Sequence, residues 1–502
     1  MRLPVGFGTY RTVDGNADHE RALRHALEHG VPLIDTSSNY GNGRSEKLVG
    51  RMLNSVDESR SAGVELITKL GYVQGEALEM AMRRYASGDP YPDVVVMSDS
   101  LWHCIHPEYL EDALAVSRER LKIAEGKAID GLLLHNPEYF LAHAHQQGMS
   151  IEDARTTFYD RIRLAFEWLE TQVARGLIRG YGISSNTFAR EIDAPDFVSL
   201  ERCHAIAKEV VAAKEVVAAK EVVAAKEVVA AKEVVAGERV DSKNNMRYAQ
   251  VPFNLIEHQA ATTFNQNNAK QTFLEFAEQH SVRVLTNRPL NAIGGDELIR
   301  LVTHEMPTHV IHPQDIEARI HAMETVEHDV VQLVLMDTTL GERERAAVQE
   351  TFKIAGALCQ TWNKFSGLPH WRDVREAYLA PRLNAAETVA HRASDPVQVN
   401  AYINDIAVLL DDVEWMYAGE ENGSLDELRL AMTDEFGLPV DTPLQHIAIH
   451  CLVNTPGVDT VLVGMREVQY VDDVLAALEL PPTPIHRSTW LRVAEHLKRL
   501  SE

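Results

Sequence analysis

Cysteine is scarce and scattered. Its four copies, Cys104, Cys203, Cys359 and Cys451, form no CxxC pair. That excludes the usual zinc spacings and a disulfide framework, and fits a reducing cytosol. Basic residues are also short: 49 Lys and Arg stand against 74 Asp and Glu, a net charge of −25. Nucleic-acid binding and attraction to an anionic membrane both need a basic surface, so neither partner is expected. There is no unbroken apolar run of the roughly 18 residues that a membrane-spanning helix requires. The opening stretch, MRLPVGFGTY, lacks the basic head and apolar segment of a signal peptide. A cytoplasmic protein is expected.

What the chain has instead is alternation. Almost wholly apolar runs at 2–8, 31–37, 64–70, 129–135, 178–185, 248–255, 282–290 and 459–465 are each followed by a helical pattern. Strands apolar on both faces belong to a covered parallel sheet. Eight such βα units predict an α/β fold of the closed (β/α)8 TIM-barrel type, over residues 1–290 plus 441–485, with a C-terminal helix over 486–502.

Two segments exceed a minimal barrel. Residues 207–236 are five copies of AKEVVA. The composition favours helix, and one long helix is the simplest reading. A six-residue period moves the Val pair by about 120° around the axis per copy, so no single apolar stripe forms and no heptad coiled coil is expected. Residues 291–440 read as helices with apolar residues at three- and four-residue spacing, an inserted all-helical subdomain of about five helices. His321, Glu324 and His328 share one face there. With no second ligand-bearing helix evident, a hydrated or salt-bridged face is expected and no metal.

Chemistry in a parallel barrel sits at the carboxyl ends of the strands. The second run ends at Asp35, with Tyr40 on the glycine-rich loop after it; the third ends at Lys69; the fourth ends at His135. An apolar strand cannot bury Lys69 cheaply unless it is paired, and Asp35 is the evident partner. A Tyr hydroxyl, with a pKa of about 10, is a weak acid near neutrality. A neighbouring ammonium favours the phenolate, so Lys69 is expected to make Tyr40 a general acid/base, with His135 donating to the same substrate oxygen. Trp102 and His103, in the segment after the third strand, are candidates to reach a substrate.

The stretches GFGTYR, ALEHGVPLIDTSSNYGNGRSEKLVG, LITKLGY, IDGLLLHNPE, RGLIRGYGISSN, YAQVPFNL and TPGVDTVLVGMREVQYVDDVL resemble, in order, those of the aldo-keto reductases. The resemblance covers all but the repeat and the helical block. It implies a barrel that uses NADPH or NADH without a Rossmann fold, and the tetrad Asp35, Tyr40, Lys69 and His135 in the roles above. It also implies nicotinamide contacts from Ser185, Asn186 and Gln250. Asn287, with Arg288 beside it, stands where the family commonly has a stacking aromatic. Gly464 and Arg466 fit the phosphate cradle after the last strand, and Asp473 keeps an acid nearby, while Tyr470 and Val474 stand where Gln and Asn are common. Neither GFGTY nor GNGRSE is a dinucleotide fingerprint.

The expected activity is reversible reduction of a small carbonyl compound, an aldehyde, ketone or sugar. Two other readings stand beside it: a nucleotide-binding sensor with little turnover, and an oligomer assembled through the repeat. The repeat is expected to leave the face opposite the chemistry, and the helical block to leave the catalytic face and select substrate or partner.

Overall fold

The computed structural model describes residues 3–57, 63–226, 244–294 and 297–501. They divide into two compact units, Met1–Leu301 with Ala431–Glu502, and Val302–Leu430.

The first unit is a closed barrel of eight parallel strands in chain order: β1 (Val5–Gly8), β2 (Leu33–Asp35), β3 (Glu65–Leu70), β4 (Gly131–His135), β5 (Tyr181–Ser184), β6 (Met246–Pro252), β7 (Arg283–Asn287) and β8 (Thr460–Gly464), which pairs back onto β1. Seven lie within the apolar runs, and β6 overlaps its run but starts two residues earlier, at Met246. Leu33, Ile67, Leu133, Tyr248, Leu285 and Leu462 fill one layer of its interior; a fully buried aliphatic side chain contributes roughly 1.5–3 kcal/mol. Tyr248 is the bulky member, and glycines make room for it. A Cβ on Gly182 would come within 1.9 Å of the Tyr248 carbonyl oxygen, and one on Gly131 within 2.8 Å of its ring. At the amino end, Tyr248 donates to Glu65 at 2.7 Å and Arg283 pairs with the same carboxylate at 2.5 Å. Paired charges thus sit at the amino end of the barrel.

The helix Leu200–Lys226 follows β5 and carries the start of the repeat. It packs through Cys203, Ile206, Ala207 and Val210, all buried, and is exposed from Ala212 to Val216. Packing ends where the apolar stripe is lost, as the six-residue period requires. Residues 227–236 of the repeat lie outside the described residues. At the far end of the chain, the helix Arg487–Ser501 docks Trp490 on Phe253, with ring centroids 4.7 Å apart.

The second unit is helical, with Pro313–Leu335, Glu342–Thr351, Leu368–Val374, Ala380–Ala390 and most of Pro396–Phe436 around a core that includes Phe352, Trp371 and Tyr402. Residues 291–294 and 297–300, expected to open the helical block, instead form an antiparallel pair, Asn291–Gly294 with Glu297–Arg300, inside the barrel unit. Among the described residues no helix is long and apolar enough to cross a membrane.

Candidate active site

β2 ends at Asp35 and the chain turns at once. In the tight turn Tyr40–Gly43, Gly41 and Asn42 have φ of 55°, and Gly43, with φ of 82°, starts the helix Arg44–Leu53. A Cβ at Gly43 would lie 2.4 Å from the Arg120 guanidinium. Glycine therefore permits the turn, and the turn carries Tyr40 over the end of β3.

There the four groups meet. Lys69 Nζ lies 2.6 Å from Asp35 Oδ2, 3.0 Å from the Thr36 carbonyl and 3.2 Å from the Tyr40 hydroxyl. Lys69 is fully buried, and Asp35 and His135 nearly so. The Tyr40 and His135 rings meet edge to face, centroids 5.9 Å apart. A cavity of about 370 Å³, lined by Tyr10, Arg11, Asn39, Tyr40, Asn42 and Gln74, opens beside them.

The electrostatics differ from expectation. Burial, reinforced by the Asp35 carboxylate, holds the Tyr40 phenol well above its ordinary pKa. Burial lowers Lys69, with Asp35 opposing that shift. Physically, the carboxylate at 2.6 Å offsets part of the ammonium's field, so in the resting site that field does not outweigh the cost of burying a phenolate. Tyr40 is a proton-loaded acid and not a poised base. Burial, with the Lys69 charge, keeps His135 neutral, well below its usual pKa. Its Nδ1 is 3.0 Å from the Ser37 hydroxyl, which donates to Asn39 Oδ1 at 2.7 Å.

The model of the Aldo/keto reductase family matches residues 4–282, more than half of the chain. The chain belongs to this family. A curated relative, Aldo-keto reductase family 1 member A1 of Mus musculus, is 28% identical over 198 residues, covering 38% of this chain and 49% of that protein. The chain thus spans about half the length of the curated relative it matches. Among solved structures, aldo-keto reductase AKR11C1 from Bacillus halodurans (holo form) is 15% identical, with a TM-score of 0.42 over 98% of this chain and 91% of its own. Glycerol dehydrogenase AKR11B4 from Gluconobacter oxydans is 15% identical, with a TM-score of 0.43 over 99% and 91%.

The residues that likeness to the aldo/keto reductases assigns to a nicotinamide cofactor divide into free and engaged groups. Gln250 is engaged: its Nε2 donates to Asp35 Oδ1 at 2.9 Å, and its Oε1 accepts from Ser184 at 2.9 Å and from Asn287 at 3.3 Å. Arg288, at φ of 58°, is paired with Glu257 at 2.7 Å. Asp473 is held by His446 at 2.5 Å. Ser185 is buried in a turn with Thr187, while Asn186 is exposed and its backbone N–H donates to Glu138 at 2.8 Å. The free groups fit a dinucleotide. Gly8 and Gly464 lie side by side at the carboxyl end of the barrel, an uncovered backbone ledge. Half-buried Arg466 has no ion pair among the described residues, leaving its guanidinium available to a phosphate. Asn287 Oδ1 is a buried acceptor without a partner, where a carboxamide N–H would satisfy it.

His103 does not reach the mouth. It is buried, its Nε2 is 2.7 Å from the His135 carbonyl, and burial lowers its pKa to about 4. Trp102 is partly exposed on a short strand that pairs antiparallel with Tyr72–Val73. Five residues not singled out in the sequence surround the tetrad. Tyr72 stacks edge-on against His135 at 4.7 Å. Ser37, Asn39 and Gln74 form a hydrogen-bonded chain from His135 Nδ1. Glu138 is buried with Oε2 unpartnered. Ser37 and Asn39 lie inside LIDTSSNYGNG, and their spacing from Tyr40 was the one signal available.

Proposed function

We propose that this chain is an NADPH- or NADH-dependent oxidoreductase that interconverts a small carbonyl compound and its alcohol, with Tyr40 as the proton donor. The observation that carries the reading is the buried line Asp35–Lys69–Tyr40, with contacts of 2.6 and 3.2 Å. When bound, the nicotinamide supplies or accepts the hydride. The protein's part is proton and charge. As a carbonyl is reduced, its oxygen becomes a strong base and takes the Tyr40 proton. Lys69 then faces the phenolate that remains and stabilises it at the moment it forms, which is when the interaction lowers a barrier. Asp35 keeps the ammonium charged and in position, and Gln250 fixes the other carboxylate oxygen. Arg466 is the candidate partner of a phosphate, and a 2′-phosphate would favour NADPH. A phenol held in its protonated form favours reduction near neutrality, and alcohol oxidation is expected to rise with pH across the alkaline range.

The test combines the absorbance and mass of any co-purifying nucleotide with turnover of added NADPH and NADH on an aldehyde and ketone panel. Carbonyl-dependent oxidation of the nicotinamide is expected, and Tyr40→Phe should lower kcat by about 10²–10⁴-fold, the range for loss of a general acid. A wild-type chain that holds a dinucleotide and never oxidises it would favour the sensor reading. An unaffected Tyr40→Phe variant would remove the role given to the phenol.

A further inference from the structure

In the helical unit, the helix Pro313–Leu335 carries His321 and Glu324 one turn apart, on the same face. Cys359, at the end of the short helix Ala355–Leu358, meets both. Its Sγ lies 3.7 Å from His321 Nδ1 and donates to Glu324 Oε2 at 3.3 Å, and the third edge, Nδ1 to Oε2, is 3.8 Å. We propose that His321, Glu324 and Cys359 form a binding site for zinc or a similar borderline divalent cation, with water in the fourth position.

The geometry is the first argument. Bonds of about 2.3 Å to sulfur and about 2.0–2.2 Å to nitrogen and oxygen, set at tetrahedral angles, put ligand atoms about 3.3–3.7 Å apart. The three observed edges, 3.3, 3.7 and 3.8 Å, lie close to that triangle. A surface ion pair needs two groups only and has no reason to bring a thiol to the same centre. The donor set is the second argument: thiolate with imidazole selects zinc-like cations, whereas calcium and magnesium take oxygen ligands.

The third argument is that the site is held in shape from beneath. Glu327, one turn after Glu324, is buried and accepts the backbone N–H groups of Ile354, Ala355 and Gly356 at 2.7, 2.9 and 3.0 Å and the Tyr402 hydroxyl at 2.6 Å. It ties the segment that leads to Cys359 onto the helix that carries the other two groups, so less ordering is left for the metal to impose. His328 is exposed and outside the cluster. The second ligand-bearing element that the sequence did not reveal is supplied by Cys359. On binding, the S–H bond breaks, its proton leaves to solvent and a sulfur–metal bond forms, with no change of oxidation state.

Cobalt(II) titration of the tag-free full chain, stripped with chelator beforehand, tests this. One equivalent per chain is expected to give the visible bands of tetrahedral cobalt and a thiolate-to-cobalt charge-transfer band, both lost when zinc is added. Cys359→Ser should abolish the charge-transfer band, and His321→Ala should weaken zinc binding at least about tenfold. His321 is exposed and Cys359 is partly buried against the helical core, so circular dichroism checks that each variant folds. Absence of the charge-transfer band in the wild type, or a band and affinity unchanged in both variants, would overturn the site.

Discussion

Asp35 in the barrel and Glu327 in the helical unit are both carboxylates almost closed to solvent, 4% and 7% exposed, and the protein satisfies them in opposite ways. Glu327 is surrounded by neutral donors, three backbone N–H groups and one phenol. Asp35 takes one amide, from Gln250, and one buried cation, Lys69, which then faces Tyr40. Neutral donors solvate a charge and fix the chain around it. A buried counter-ion does less for shape, because desolvating two charges costs about as much as their attraction returns. What it does is hold a charge beside a third group. The contrast separates an acid kept for architecture from one kept for chemistry, and each substitution below should respect it.

The largest effect is expected at Lys69. Lys69→Met removes the cation facing the phenol and leaves Asp35 buried without its counter-ion. Turnover should fall by about 10²–10⁴-fold, and stability in denaturant by about 3–5 kcal/mol. Adding Asp35→Asn should restore most of the stability and none of the activity. Recovery of turnover in the double variant would break the comparison.

Glu327→Leu should do the reverse. It strands three backbone donors and a phenol, each costing about 1–3 kcal/mol when left unsatisfied. The unfolding free energy should fall by roughly 3 kcal/mol or more, while kcat per folded molecule stays within about twofold. A loss of turnover as large as that of Lys69→Met would mean that Glu327 is not merely architectural.

Glu138 sits between the two cases. It accepts one backbone N–H, from Asn186, and its other oxygen has no partner; burial, with the nearby Asp196 carboxylate adding to it, raises its pKa to about 7. The folded state therefore keeps a proton that the unfolded chain loses above about pH 4.5. The resulting stability is complete below that pH and is lost as pH rises through 7, by up to roughly 3 kcal/mol. Glu138→Gln, neutral at every pH, should flatten this part of the stability–pH curve. An unchanged slope would assign the titration elsewhere.

The barrel was legible because burial on both faces leaves unbroken apolar runs, and the proximity of Asp35, Tyr40, Lys69 and His135 because each lies at or just beyond the carboxyl end of one of three neighbouring strands. Gln250 was legible as a polar residue on β6, but not its turn onto Asp35, since that depends on which neighbours the barrel register brings across. His103 reads like His135 in sequence, yet the short strand Leu101–His103 folds it behind the mouth. Cys359 lies 35 residues beyond Glu324, and only the packing of the helical unit joins them. The sign of the Tyr40 shift was missed for a related reason. Proximity to Lys69 is visible in the strand ends, but the cost of burying a phenolate beside Asp35 is not.

The smallest effect concerns one proton. Ser37 has a single hydroxyl hydrogen and donates it to Asn39 Oδ1, so its oxygen accepts from His135 Nδ1–H. A neutral imidazole then has no proton left on Nε2 and cannot donate to a substrate oxygen. Turning over the side-chain amides of Asn39 and Gln74, which touch at 3.3 Å, would reverse the chain, at the loss only of the long 3.3 Å bond from Ser37 to the Lys69 carbonyl. Gln74 would donate to Asn39, Asn39 to Ser37, and Ser37 to Nδ1, placing the ring proton on Nε2. Asn39→Asp forbids that reversal, because a carboxylate can only accept from Ser37. It should lower kcat about tenfold with little change in KM, the loss of one hydrogen bond to developing charge. Asn39→Ala, which frees the Ser37 proton for His135, should retain more activity than Asn39→Asp. Equal rates in the two variants would show that His135 does not act as a donor, leaving the substrate oxygen to Tyr40 alone.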